Sequence, residues 1–179
     1  GNYQEAEVFW KKNEDLLAGA RDRYSRQLVL INRIELNLHL GRLEETAALM
    51  SQLPDSNVLS NLRIHHLANR LNYAKEKSPK SALTLLRKRL DWIMGDYFGA
   101  VTRLTPFLIQ SINEESGLLE ADSLESWKNR SLEQFEENPM ASSNHYQLLS
   151  AIYHKQDNKM LEAYESLLIS NDYKDKYHL

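Results

Sequence analysis

The histidines of this 179-residue chain are candidates for metal binding and proton transfer, because imidazole nitrogens do both. His65 and His66 are adjacent, so on a helix they point about 100° apart and cannot chelate one ion together. His145 and His154 lie too far apart along one helix to share a metal. We expect His66 to pack in the core, and we predict no metal site.

Catalytic motifs are not found in the sequence. The carboxylates fall in clusters typical of a solvated surface, such as Glu114-Glu115 and Glu136-Glu137, whereas a general acid–base pair needs a buried cleft. No HExxH, no phosphate-binding Gly loop and no strand for a nucleophile elbow occurs. With no Cys, thiol chemistry and Cys-ligated zinc are excluded. We therefore predict a protein that is not an enzyme and holds no cofactor.

The composition is that of a globular helical protein. It is 42% hydrophobic and 26% charged, and only 6 Gly and 4 Pro interrupt residues that favour helices. No apolar run reaches the roughly 18 residues of a membrane-spanning helix. The lack of Cys fits a reducing or an oxidising compartment, so the location stays open, with the cytoplasm favoured. Because the chain begins at Gly1 without Met, we expect a piece of a longer protein.

Turn signals divide the chain into helices. Ser78 is placed to cap a helix that begins at Pro79, where the missing N–H costs nothing. Pro106 should kink or split the helix that contains it, since Thr105 is biased away from helical geometry. The predicted helices are 2–17, 22–40, 43–53, 57–76, 79–94, 97–114, 121–137, 142–156 and 159–170.

Five segments repeat a pattern in which a short loop leads into a helix with a small residue near its start. They read GNYQEAEVFW (1–10), GRLEETAALM (41–50), KSPKSALTLL (77–86), GLLEADSLESW (117–127) and DNKMLEAYESLL (157–168). A small side chain allows two helices to cross closely, and a bulky one four or five residues later fills the remaining gap. The small residues are Ala6, Thr46, Ala82, Ala121 and Ala163, and the bulky ones are Trp10, Met50, Leu86 and Leu167.

The pattern resembles the second-helix signature of tetratricopeptide (TPR) repeats. The resemblance implies an all-α fold in which four to five antiparallel helix-turn-helix hairpins stack as a right-handed TPR-like superhelix, forming one domain over 1–179. The alternative is an irregular helical bundle. The segment GDYFGAVTRL (95–104) also matches but is out of phase, so we interpret it as a turn between repeats.

A TPR-like array implies a scaffold that binds a peptide or protein segment in a concave groove. The predicted groove is formed by helices 22–40, 57–76 and 142–156, and tyrosines suit such contacts because a phenol offers apolar area and a hydrogen bond. The candidate contacts are Asn32, Glu35, His65, Asn69, Tyr73, Tyr146 and Tyr153. The alternative is the sensor or regulatory region of a larger bacterial signalling or transcription-regulating protein, because residues 151–179 resemble a last repeat before an effector module.

The charge is unevenly distributed along the chain. Residues 61–110 hold nine basic and three acidic side chains, whereas residues 111–179 hold six basic and thirteen acidic ones. We interpret the basic part as a surface that attracts an acidic segment of a partner or of another copy of this chain. It consists of Arg63, Arg70, Lys75, Lys77, Lys80, Arg87, Lys88, Arg89 and Arg103. The overall net charge of -3 argues against nucleic acid as the partner.

Overall fold

The computed structural model describes residues 3–12, 19, 22–114 and 117–179, and every regular element within these ranges is helical. The prediction of an all-α protein is confirmed. None of the helices in the described part of the chain is long and apolar enough to cross a bilayer. By their internal contacts the residues form two compact units, unit 1 (Gly1–Leu85) and unit 2 (Leu86–Leu179). The single domain over 1–179 stays a prediction.

Unit 1 is organised around its second described helix. The helices are α1 (Tyr3–Lys12), α2 (Arg23–His39), α3 (Leu43–Ser51), α4 (Arg63–Lys77) and α5 (Pro79–Arg87), with two 3₁₀ turns at Asp55–Asn57 and Ser60–Leu62 and with α5 reaching past the unit boundary. Asp22 caps α2 by accepting a hydrogen bond from the backbone N–H of Ser25 at 2.8 Å. α2 packs against α1, α3 and α4. Ile31 of α2 lies in a core cluster with Leu53, Val58 and Leu62.

Unit 2 is built around one long helix. Its helices are α6 (Leu90–Gly95), α7 (Tyr97–Arg103), α8 (Thr105–Glu114), α9 (Ala121–Arg130), α10 (Leu132–Glu136), α11 (Pro139–His154) and α12 (Met160–Tyr177). α11 packs against α7, α8, α9, α10 and α12. α11 is thus the helix around which the other helices of unit 2 are grouped.

Proline and cap chemistry determines several helix ends as predicted. The Ser78 hydroxyl accepts a hydrogen bond from the Ser81 N–H at 3.1 Å, and α5 begins at Pro79. The predicted helix 97–114 is split at Leu104, directly before Thr105 and Pro106. Asn138 caps α11 by accepting from the Ala141 N–H at 3.0 Å, so this helix begins earlier than the predicted residue 142.

Other boundaries differ from the prediction. The predicted helices 79–94 and 121–137 are each divided in two, at Lys88-Arg89 and at Ser131. The segment 95–104 is not a turn, because Asp96 accepts from the Gly99 N–H and starts α7. The last helix continues to Tyr177 rather than ending at 170. Part of the predicted helix 2–17 lies outside the described residues.

The small residues of the repeated pattern are mostly enclosed. Thr46, Ala82, Ala121 and Ala163 are buried, and Ala6 is half-buried. The bulky residues behave less uniformly: Leu86 is buried and Trp10 and Met50 are half-buried, but Leu167 is exposed and fills no gap.

Candidate interaction surface

The seven predicted groove residues are divided between the two units. Asn32, Glu35, His65, Asn69 and Tyr73 belong to unit 1, and Tyr146 and Tyr153 belong to unit 2. Asn32 is exposed, whereas Glu35, His65 and Tyr73 are half-buried. The buried Asn69 differs from the expectation: its amide Nδ2 donates to the Ile31 carbonyl at 2.9 Å. Asn69 is thus a structural link between α4 and α2, with no surface to offer a partner.

The two tyrosines of unit 2 have different surroundings. The Tyr146 ring lies against Lys128, whose Nζ is 4.9 Å from the ring centroid and donates to the Tyr146 hydroxyl at 3.3 Å. Tyr146 also stacks on Tyr173 of α12, with the centroids 6.4 Å apart. Tyr153 lines a separate cavity of about 490 Å³ together with Lys155. Both phenols are half-buried.

The predicted basic residues also belong to both units, and several already have partners within their own unit. Arg70 forms an ion pair with Asp55, which also accepts from Nε2 of the buried His66 at 3.2 Å. The Lys77 Nζ lies 4.5 Å from the centroid of Tyr73. Unit 1 contains Arg63, Arg70, Lys75, Lys77 and Lys80, and unit 2 contains Arg87, Lys88, Arg89 and Arg103. The core position predicted for His66 is confirmed.

A buried polar chain in unit 2 was not predicted from the sequence. The Tyr97 hydroxyl lies 2.8 Å from His145 Nδ1, and His145 Nε2 lies 3.1 Å from a carboxylate oxygen of Glu125. An ionised carboxylate only accepts, so Nε2 carries the proton, Nδ1 accepts and the phenol donates. These residues come from α7, α9 and α11, so the chain of hydrogen bonds joins three helices.

The pKa shifts show that this polar chain is neutral on its buried side. Burial lowers the pKa of His145 to about 4, outweighing the hydrogen bond to Glu125, which favours the charged ring. Burial, together with the negative charge of Glu125, raises the pKa of Tyr97. A phenol that keeps its proton is a weak nucleophile. No group of three or more possible metal ligands occurs in the described ranges.

Small side chains bring α12 very close to α11. The Ser150 hydroxyl donates to the Ala163 carbonyl at 2.8 Å, and the hydroxyls of Ser143 and Ser170 are 3.0 Å apart. Ala163, Ser166 and Ser170 follow one another at i, i+3 and i+7, and all three are buried. They form the face of α12 that packs on α11. Small side chains therefore lie where these two helices meet.

The opposite face of α12 is apolar and exposed. Leu161, Tyr164 and Leu168 follow one another at i, i+3 and i+7, with exposed fractions of 66%, 60% and 44%. We call these three residues the α12 stripe. A surface helix normally buries its apolar stripe and exposes its polar one. α12 does the reverse, since serine and alanine face the protein while leucine and tyrosine face outward.

An open groove continues the α12 stripe toward α11. It has a volume of about 460 Å³ and is lined along α11 by residues at helical spacing, together with Ile109 of α8. We call it the α11/α12 groove. Its other lining residues are Gln147, Ser150, Ala151, His154, Met160, Ala163, Tyr164 and Leu167. Tyr164 belongs to both surfaces, so groove and stripe form one continuous apolar region.

This apolar region was not predicted from the sequence, although the sequence carries one signal of it. The segment 160–170 places leucines and serines at alternate sides of one helix, but nothing in the spacing says which side is covered. Comparison with known proteins adds no assignment of family or fold, because this chain matches no protein-family model, no curated protein and no solved structure.

Proposed function

We propose that this protein is an interaction module that binds a helical segment of another polypeptide on the α11/α12 groove and the α12 stripe. The observation that carries the proposal is the reversed polarity of α12, which buries Ala163, Ser166 and Ser170 and exposes the α12 stripe. Contiguous apolar surface of this kind on a soluble domain typically marks a docking site.

The geometry favours a helix as the bound segment. The stripe follows one helix, and the groove beside it is lined by α11 and α12 with Ile109 of α8, an arrangement that suits helix-in-groove recognition. Such a ligand would insert apolar residues at i, i+3, i+4 and i+7. The charges that continue the stripe at i+4 and i+7 from Leu168 are Asp172 and Asp175, both exposed. The ligand is therefore apolar with basic residues at one end.

The TPR-like arrangement is part of this proposal. The hairpins α2/α3 and α11/α12 each bury the small residue of the repeated pattern, Thr46 in one and Ala163 in the other, which supports a TPR-like crossing in these two hairpins. The packing of α11 against five helices supports a bundle in the rest of unit 2. Binding thus depends on the last hairpin rather than on a groove running along many repeats.

Site-specific crosslinking tests the proposal. A photo-reactive amino acid replaces Tyr164 in the full chain in its native cells, and the crosslinked segment is identified by mass spectrometry. Leu132 on α10 is the control position, because it is a large exposed apolar residue, with an exposed fraction of 45%, that belongs neither to the groove nor to the stripe. We expect position 164 to capture one defined apolar and basic segment that position 132 does not capture.

Affinity measurements with that purified segment complete the test. Leu161→Glu and Tyr164→Glu should each weaken binding by about tenfold or more, because a buried anchor residue is replaced by a charge. Leu132→Glu should leave binding unchanged. Equal capture at both positions, or an affinity indifferent to Tyr164→Glu, would show that the α12 face is not the binding site.

A further inference from the structure

The cavity that Tyr153 lines lies within unit 2, where α8, α9 and α11 meet. Its volume of about 490 Å³ falls within the roughly 300–1,000 Å³ of small-molecule sites. The lining is drawn from the end of α8, from the segment 117–122 that leads into α9, and from the segment 152–159 that ends α11. Among the described residues, none lines both this cavity and the α11/α12 groove. We call it the α9/α11 cavity.

The buried part of the lining is apolar. Ile112, Leu119 and Ile152 come from the three different segments, and all three side chains are buried. Tyr153 adds a half-buried aromatic ring. Such a lining can enclose an apolar group of a ligand without leaving a buried polar atom unpaired.

The exposed part of the lining carries charges of both signs. Glu120 and Asp122 supply two carboxylates, and Lys155 and Lys159 supply two ammonium groups. The Glu120 side chain makes no capping hydrogen bond to the first turn of α9. A ligand with a single charge would meet like charges in this cavity as well as opposite ones.

The two lysines differ in the partners that they already have. The Lys159 Nζ lies 2.8 Å from a carboxylate oxygen of Glu162, and this hydrogen bond, with a smaller contribution from the charge of Asp122, raises the pKa of Lys159. The Lys155 Nζ donates to the backbone carbonyl of Asn113 at 3.1 Å. A carbonyl does not neutralise an ammonium charge, and the ammonium group has two further N–H donors. Lys155 is therefore the better placed of the two to pair with an anionic group of a ligand.

We propose that the α9/α11 cavity binds a small zwitterion with an apolar body, which is the chemistry of an apolar α-amino acid. The ligand carboxylate pairs with Lys155, its ammonium group pairs with Asp122 and Glu120, and its apolar body lies against Ile112 and Ile152. A molecule with both charges matches a lining that contains both signs, whereas an acid or an amine alone matches half of it. The site goes beyond the proposed function, because it is separate from the docking surface and takes a small molecule.

Three probes that share one apolar body separate the two charges. L-Phenylalanine carries both charges, 3-phenylpropanoate carries only the carboxylate, and phenethylamine carries only the ammonium group. Heteronuclear NMR titration of the full chain at neutral pH should give a dissociation constant of about 0.1–1 mM for phenylalanine. The resonances that shift should belong to the segments 117–122 and 152–159. The other two probes should bind about tenfold more weakly, because each leaves one sign of the lining unmatched.

Two substitutions assign the charges within the site. Lys155→Met and Asp122→Asn should each weaken phenylalanine binding about tenfold. Lys155→Met should also abolish the preference for phenylalanine over phenethylamine, and Asp122→Asn the preference over 3-phenylpropanoate. Lys176→Met and Asp175→Asn, at exposed positions of α12 outside the cavity, are the matched controls and should bind phenylalanine as the unmodified chain does. Circular dichroism verifies that each variant keeps its helix content.

The same titration with leucine, 4-methylpentanoate and 3-methylbutylamine repeats the comparison with a smaller, aliphatic body. The proposal is overturned if neither amino acid shifts the resonances of the two segments. It is also overturned if the acid or the amine binds as well as the amino acid, which would indicate adsorption of the apolar body or recognition of one charge only. Binding that survives both Lys155→Met and Asp122→Asn would equally exclude this site. None of these outcomes bears on the docking surface of α12, which crosslinking from position 164 tests separately.

Discussion

Two faces of α11 pack against side chains of very different size. Toward α7, α9 and α10, large rings fill the space: Phe135 packs edge-on against His145 at a centroid distance of 5.8 Å, and Tyr97 lies 5.3 Å from Trp127. Toward α12 the contacts are made by small residues: the Ser150 hydroxyl donates to the Ala163 carbonyl, and the Ser143 hydroxyl lies 3.0 Å from that of Ser170.

The difference shows that one helix can be packed by large side chains on one side and by small side chains on the other. The aromatic side encloses apolar area, which is the dominant favourable contribution to folding. The small-residue side buries little apolar surface, and the large apolar side chains of α12 are exposed. Substitutions on the two sides should therefore have effects of different size and origin.

The largest effect is expected from Phe135→Ala. Phe135 is almost fully enclosed, and its ring lies within 6 Å of the rings of Tyr97, Phe98 and His145. Removing it should lower the free energy of unfolding by about 3–5 kcal/mol, measured by chemical denaturation, because a cavity is left in a core that cannot collapse around it. Phe9→Ala, at an exposed position, is the matched control and should cost far less. Equal losses would contradict the enclosed aromatic cluster.

A pH-dependent loss of stability is expected next in size. The pKa of His145 is about 4 in the folded protein and 6.5 in the unfolded one, so the unfolded state binds the additional proton between these values. Stability should thus be complete above pH 6.5 and should fall on acidification toward pH 4, by at most about 3 kcal/mol.

Variants of the two histidines on α11 isolate this contribution. His145→Gln removes the titrating group and should flatten the dependence of the unfolding free energy on pH in this window. His154→Gln, at the exposed end of the same helix, should keep the slope of the unmodified chain. The same slope in all three proteins would show that another group is responsible.

The smallest of the three effects is expected at the small-residue side. Ala163→Leu places a large side chain where α12 approaches α11 through Ser150, so it should cost roughly 1–3 kcal/mol by overpacking. Ala48→Leu, at an exposed helical position of α3, is the control and should leave the melting temperature nearly unchanged. An unaltered melting temperature for Ala163→Leu would contradict the close crossing.

Prediction from the sequence was successful where the rule is local. The start of α5 at Pro79 and the break before Pro106 follow from steric requirements within a few residues. It was unsuccessful where the outcome depends on a distant partner. Asn69 satisfies a carbonyl 38 residues away, and Tyr97 bonds to a histidine 48 residues away.

The sequence by itself determined that this chain is helical, because Gly and Pro are scarce and apolar residues recur at helical spacing. Only the tertiary structure decided which face of each helix is covered. In α12, leucine and serine occupy opposite sides of one cylinder, and periodicity is the same whichever side packs inward. The hydroxyl contacts of Ser150 and Ser143 with α12 select the serine side, since small residues permit the closest approach of the two backbones. The leucines are left outside as the surface on which the proposed function depends.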